Sequence, residues 1–174
     1  MSSNETAIVE PAASWIGHLV VAADASAASR KGLKIAVDAA RRTGARISVV
    51  HVRHVPAGTY LTPGMARGPI EETLDEVEAE VRATTAEAMS GSGVDWEFVV
   101  LQGSPGEELV KFLAQGGADM VVVGSNRHNS LHNLILGSTS AYLTSHSPAA
   151  VLVARSHEEA PEAGAGLAAS GVAR

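Results

Sequence analysis

Five short apolar runs, each separated from the next by a segment of helical period, leave this chain very few ways to fold. They lie at residues 18–23, 46–52, 96–101, 120–123 and 150–154, and are built largely from Val, Leu, Ile and Ala. Runs that are almost continuously apolar are those of strands covered on both faces, which is the habit of parallel sheets. The segments between them are long enough for the crossover helices that parallel pairing requires. Right-handed crossovers then lead to an α/β fold, a doubly wound five-stranded parallel sheet with helices on both faces. Ligands of such sheets bind beyond the carboxyl ends of the strands, where strand order reverses. With strands 1 and 4 as neighbours, Asp24 and Gly124 face each other across that crevice.

Local signals set the helix limits. Ser26 is placed to cap a helix carrying Leu33, Ala36, Val37 and Ala40, which Thr43 and Gly44 close. A Pro/Gly-rich stretch, 56–69, precedes a long helix over 70–89, with Leu74, Val77 and Val81 as its apolar stripe and acidic residues elsewhere. The stretch has the composition of a flap and equally of a plain surface connection. Ser104, Pro105 and Glu107 combine an N-cap, a first-turn proline and a capping-box glutamate for a helix carrying Leu109, Phe112 and Leu113. A last helix over 137–145 leads through Ser147 and Pro148 into the fifth strand. Residues 1–14 and 156–174 lack periodicity and read as a disordered lead-in and tail around one domain, 15–155.

Composition removes several function classes. A formal net charge of -6 argues against nonspecific nucleic-acid binding, which needs a basic surface. With no cysteine there is no thiol catalysis and no thiolate metal site. No apolar run has the length of a membrane span and the N-terminus lacks a signal-peptide core, so a cytoplasmic protein is expected. His51 and His54 lie three apart, and His128 and His132 four apart, but no His-Glu-x-x-His joins them, so no metal site is expected. No Gly-x-Ser-x-Gly elbow places Ser138 as a nucleophile, and no catalytic residue is assigned.

The strongest functional signal follows strand 4. Val123, Gly124, Ser125, Asn126 and Arg127 run into a polar loop, and Gly137, Ser138, Thr139 and Ser140 then open a helix. Backbone N–H groups at a helix start have no partner inside the helix and form an anion cradle, which small residues let a phosphate approach. Neither Gly-x4-Gly-Lys-Ser/Thr nor Gly-x-Gly-x-x-Gly is present, so the cradle belongs to another class of nucleotide binder.

An ordered series identifies that class. Ala22, Ala23, Asp24 and Ser26 are followed by His51-Val52, Gly103-x-Pro105, Asp119 to Gly124-Ser125, Gly137-Ser138-Thr139-Ser140, and His146-x-Pro148 ahead of Val151-Leu152-Val153. From about 18 to 154 the chain resembles the universal stress protein family. The resemblance implies sheet order 3-2-1-4-5, a homodimer through Val151, Leu152 and Val153, and ATP bound by Gly-x2-Gly-x9-Gly-Ser/Thr. It places Asp24 beside the base, the Val52 backbone at the adenine edge with Ala22 and Val123 nearby, and 137–140 on the phosphates, with Mg2+ as a companion ion and ADP or a cyclic nucleotide as alternative ligands. The family's second glycine falls on Arg127 here, and Ala25 replaces the glycine usual after the aspartate. The Arg127 side chain either fills the cradle or forks onto a phosphate. The implied function is a stress-response module that binds ATP without being an enzyme. A dimeric interaction protein that binds no nucleotide, and a weak ATPase, are the alternatives.

Overall fold

A computed structural model describes residues 15–55, 67–125 and 137–156. The expectations for the lead-in, for 56–66 of the proline-rich stretch, for Asn126, Arg127, His128 and His132, and for the tail beyond residue 156 lie outside the described residues. Among the described residues nine elements alternate: β1 (His18–Ala22), α1 (Ala27–Thr43), β2 (Arg46–Arg53), α2 (Arg67–Met89), β3 (Trp96–Gln102), α3 (Pro105–Gly116), β4 (Met120–Ser125), α4 (Ser138–His146) and β5 (Ala150–Arg155). The strands pair in parallel in the order β3-β2-β1-β4-β5, which is the expected doubly wound sheet.

The two faces of the sheet carry separate cores. Leu19, Val21, Ile47, Val49 and Val122 meet Leu33, Ala36 and Val37 of α1 and Val81 of α2. Val20, Val50, Val121 and Val123 meet Leu109 and Leu113 of α3 and Leu143 of α4. Alternate residues of each central strand therefore serve opposite cores, as the period of two requires. That is why these strands show no polar face in the sequence.

Most of the local signals operate as read. The Ser26 side chain accepts the Ser29 N–H at 3.1 Å, and Gly44 ends α1 in the left-handed region with φ 74°. The helix α2 starts at Arg67 rather than residue 70, with Pro69 in its first turn, where a missing N–H costs no hydrogen bond. Its stripe continues from Val81 through buried Thr85 and Met89, and Arg53 holds its acidic face through Glu71, Asp75 and Glu78 at 3.3, 2.7 and 3.0 Å. The capping box at α3 does not form. Ser104 is the N-cap and Pro105 opens the helix, but the Ser104 side chain makes no cap bond. Glu107 and Glu108 lie in that first turn, where negative charge suits a helix N-terminus. Two further limits move: β4 runs on through Gly124 and Ser125, and α4 begins at Ser138 with Gly137 as its N-cap.

At the amino ends of the strands a part-buried polar network ties three of them together. Ser48 Oγ donates to Glu97 Oε1 at 2.7 Å, so it accepts from His18 Nε2–H at 2.8 Å, and His18 Nδ1 accepts from Arg46 Nη2 at 3.1 Å. Both ring nitrogens are thus matched only when His18 is neutral. Burial is the main force holding its pKa below the ordinary 6.5, and the Arg46 charge adds to it, against the Gly116 backbone bond and the Glu97 and Asp119 charges. The Asp119 carboxylate accepts from the Gly17 and His18 N–H groups at 2.7 and 2.9 Å, which holds its pKa below 3.8.

These shifts set a pH dependence. Below pH 6.5 the unfolded chain takes up the His18 proton before the folded one does, so stability falls with pH down to the lower folded pKa and is flat above 6.5. Asp119 adds a second loss as pH falls below 3.8 through its own folded value. Denaturant midpoints measured between about pH 7.5 and 5 are expected to decline with falling pH, and to decline less in His18→Gln. Equal slopes in the two proteins would contradict this account.

Candidate functional site

The site originates in a difference of strand length. At the last rung that β1 shares with both neighbours, Ala22 pairs with Val50 of β2 and Val123 of β4. Beyond it β2 continues to Arg53 and β4 to Ser125, while the chain leaves β1 through Ala23 and Asp24 into α1. A gap opens between β2 and β4 at the point where strand order reverses. It is a cleft of about 310 Å3, at the small end of the range for ligand sites.

Each wall follows from register. Residues of β2 turn their backbone groups alternately to β1 and to β3. Arg53 O accepts from Gly103 N at 3.1 Å on the β3 side, and Val50 O accepts from Ala23 N at 2.8 Å on the β1 side. Val52 therefore turns its N–H and C=O to the β1 side, past the end of β1 and into the cleft. Asp24 lines the cleft in an exposed position, and its Oδ1 accepts the Ser26 N–H at 2.8 Å while Ser29 Oγ accepts the Asp24 N–H at 3.0 Å. These bonds fix the corner, so Asp24 shapes the turn ahead of the cap while Ser26 supplies the cap itself.

Three helices, α1, α3 and α4, start beside this cleft, and their N-termini differ. Ser26 caps α1, and α3 carries Glu107 and Glu108 in its first turn. The first turn of α4 has neither a side-chain cap bond nor an acidic residue. Ala141 N bonds Gly137 O at 2.9 Å, which leaves the N–H groups of Ser138, Thr139 and Ser140 without a partner inside the helix. Ser140 Oγ is committed to Gly137 O at 3.0 Å and is buried. Its main-chain N–H, not its hydroxyl proton, is what it offers a ligand.

The structure thus brings Ala22, Asp24, Val52, Val123, Gly124, Gly137, Ser138, Thr139 and Ser140 to one cleft. Ser125 is buried on the last rung of β4, opposite Arg155, and is not part of the lining. Gly124 lines the cleft, but a Cβ there would lie 2.7 Å from Ser29 N and 2.8 Å from the Ala28 carbonyl carbon. Its first role is to let α1 pack on β4. Gly137 has φ -57°, and a Cβ there would meet nothing closer than Ser140 Oγ at 3.7 Å, so nothing in the described fold demands glycine.

Sequence reasoning missed Ala23, Val50, His51, Pro105 and Leu109, which also line the cleft. The Gly103-x-Pro105 motif was the available signal for α3. The crossover from β3 at one edge of the sheet to β4 near the other carries this helix under the cleft. His51 stands in the sequence as the neighbour of Val52, with nothing local to show what its ring bonds. Its Nδ1 donates to Ala23 O at 2.9 Å, and His54 Nδ1 donates to Gly103 O at 2.9 Å. Among the described residues no group of three His, Cys, Asp or Glu could hold a metal ion.

The family model described as the universal stress protein family matches residues 16–155. The chain belongs to that family. Stress response protein NhaX of Bacillus subtilis is 29% identical over 165 residues, with 79% of this chain and 97% of that protein covered. Universal stress protein YxiE of the same bacterium is 30% identical over 145 residues, with the same shares. The universal stress protein UspA from Lactobacillus plantarum matches at TM-score 0.65 and 24% identity, over 80% of this chain and 98% of that one. A universal stress protein in complex with cAMP matches at TM-score 0.54 and 22% identity, over 80% and 96%. A family member from Arabidopsis thaliana with AMP bound matches at 0.60 and 15%, over 82% and 94%. At such identities these three speak for the fold.

Proposed function

We propose that this universal stress protein binds an adenine nucleotide in the cleft between β2 and β4. The observation that carries the reading is the open N-terminus of α4, whose three N–H groups meet the same cleft as the Val52 backbone and Asp24. Nucleotides have the matching polarity, with a base that exchanges hydrogen bonds at one end and an anion at the other. Val52 offers a donor and an acceptor to the base edge, and the Asp24 carboxylate accepts from an exocyclic amino group. The fold neighbours with bound AMP and cAMP support the ligand class.

Within this reading ATP, with Mg2+ on its phosphates, is the ligand, and Ser138, Thr139 and Ser140 hold phosphate through main-chain N–H groups. Gly124, Ala22 and Val123 form the floor and near walls, while Asn126 and Arg127, the motif's further candidates for the phosphates, lie outside the described residues. The protein works in the cytoplasm by a change of conformation or partner on binding, not by turnover. Val151, Leu152 and Val153, half-buried on the outer strand β5, are where two copies pair. Sedimentation as a dimer is expected, and a monomer at micromolar concentration contradicts that part.

Base selectivity tests the cleft. Adenine presents an amino donor where guanine presents a carbonyl oxygen, which the Asp24 carboxylate repels. AMP is therefore expected to bind at least about tenfold more tightly than GMP, the worth of one hydrogen bond exchanged for an unpaired group. Equal affinity for the two would remove Asp24 and Val52 from the base site.

A further inference from the structure

We propose that His51 is a positioning residue that holds the β2 edge open for the ligand, by taking the carbonyl that would otherwise close the next rung against Val52. In a parallel ladder a residue that gives its N–H to one partner residue receives, at its C=O, the N–H two residues further along. Ala23 gives its N–H to Val50 O at 2.8 Å, so its C=O is placed to receive the Val52 N–H. It receives the His51 ring instead, Nδ1 to O at 2.9 Å, with the ring buried. A carbonyl can only accept, so Nδ1 carries the proton and the tautomer is fixed.

The ring accomplishes two things at once. It satisfies a carbonyl that would be costly to leave without a partner, and it ends the β1–β2 ladder one rung early. The Val52 N–H and C=O are thereby left to the cleft. It also steadies Asp24, whose own N–H is held by Ser29 Oγ at 3.0 Å and whose preceding carbonyl is held by His51. Base recognition would then depend on a side chain that need not touch the base. This inference rests on the adenine-nucleotide reading for its functional consequence, but its structural part stands without a ligand.

The test measures amide hydrogen exchange of the ligand-free protein by NMR and titrates AMP into the native protein, His51→Phe and His51→Asn. In the native protein the Val52 amide is expected to exchange fast and the Val50 amide slowly. With phenylalanine the donor is gone, the rung closes, Val52 exchange slows, and AMP affinity drops about tenfold or more. Asparagine, whose amide nitrogen can stand where Nδ1 stood, restores fast exchange and brings AMP affinity back to within about threefold of native. Slow Val52 exchange in the native protein overturns the proposal by itself, even if the phenylalanine variant fails to fold. Unchanged exchange and affinity in a folded His51→Phe also overturn it. A native protein that fails to bind AMP sinks the nucleotide reading, while Val52 exchange still decides the role of His51.

Discussion

Gly124→Ala is expected to destabilise the fold by about 3 kcal/mol, at the upper end of what overpacking costs, and to lower the melting temperature by on the order of 10 °C. The added methyl would lie 2.7 Å from Ser29 N, 2.8 Å from the Ala28 carbonyl carbon and 3.1 Å from the Ala28 Cβ. Two of these atoms are backbone in the first turn of α1, so no rotamer relieves the collision. The helix must move off β4, and Ala28, itself fully buried, must move with it. Thermal or denaturant unfolding of the variant measures this. The contrast is Gly137→Ala, where φ is -57° and the nearest atom is 3.7 Å away. Its cost to stability should stay under about 1 kcal/mol, the difference between glycine and alanine as N-caps. Equal costs at the two glycines would mean that α1 does not pack on β4 as described.

Ser138→Asp is expected to move stability and binding in opposite directions. Ser138 is the first residue of α4, it is exposed, and no acidic residue occupies that turn. A carboxylate there faces the positive end of the helix and should add about 0.5 kcal/mol of stability. The same charge occupies the cradle and repels a phosphate, so affinity for AMP should fall about 100-fold or more, as for like charges forced together at short range. Few other substitutions strengthen a helix and empty a binding site together. A variant that is more stable and still binds AMP normally would place the phosphate elsewhere.

What could be read from the sequence followed the length of the interactions involved. Whereas the sheet order was implied only by the family resemblance, the strands and the helix caps depend on apolar period and on near neighbours: Ser26 reaches Ser29, and Gly44 closes on Ala40. These are legible because cause and effect lie within a few residues. The cleft lining was legible in part through the family's ordered motifs, which bring Asp24, Val52 and 137–140 together. Register was not legible. The end of β1 is marked locally by Asp24, but nothing local reveals that β2 and β4 run on past it, although that difference opens the site. The two glycines illustrate the same limit. Gly124 and Gly137 are both glycines of the motif, yet one is required by a helix whose residues lie about a hundred positions earlier, and the other by nothing in the described fold. Likewise the role of His51 was hidden, because its bond to Ala23 spans a strand pairing that the sequence does not display. The capping box at Ser104 shows the opposite limit: the local pattern is present, but the Ser104 side chain makes no cap bond.

The most direct test is a calorimetric titration of the native protein with Mg-ATP, run beside Arg127→Gly. The account predicts saturable one-to-one binding by the native protein, with weaker binding by the variant if the guanidinium meets phosphate. Binding seen only in Arg127→Gly would show a sound cradle that Arg127 closes in the native chain, and would favour a dimeric interaction protein. The absence of binding in both would contradict the nucleotide reading of the cleft.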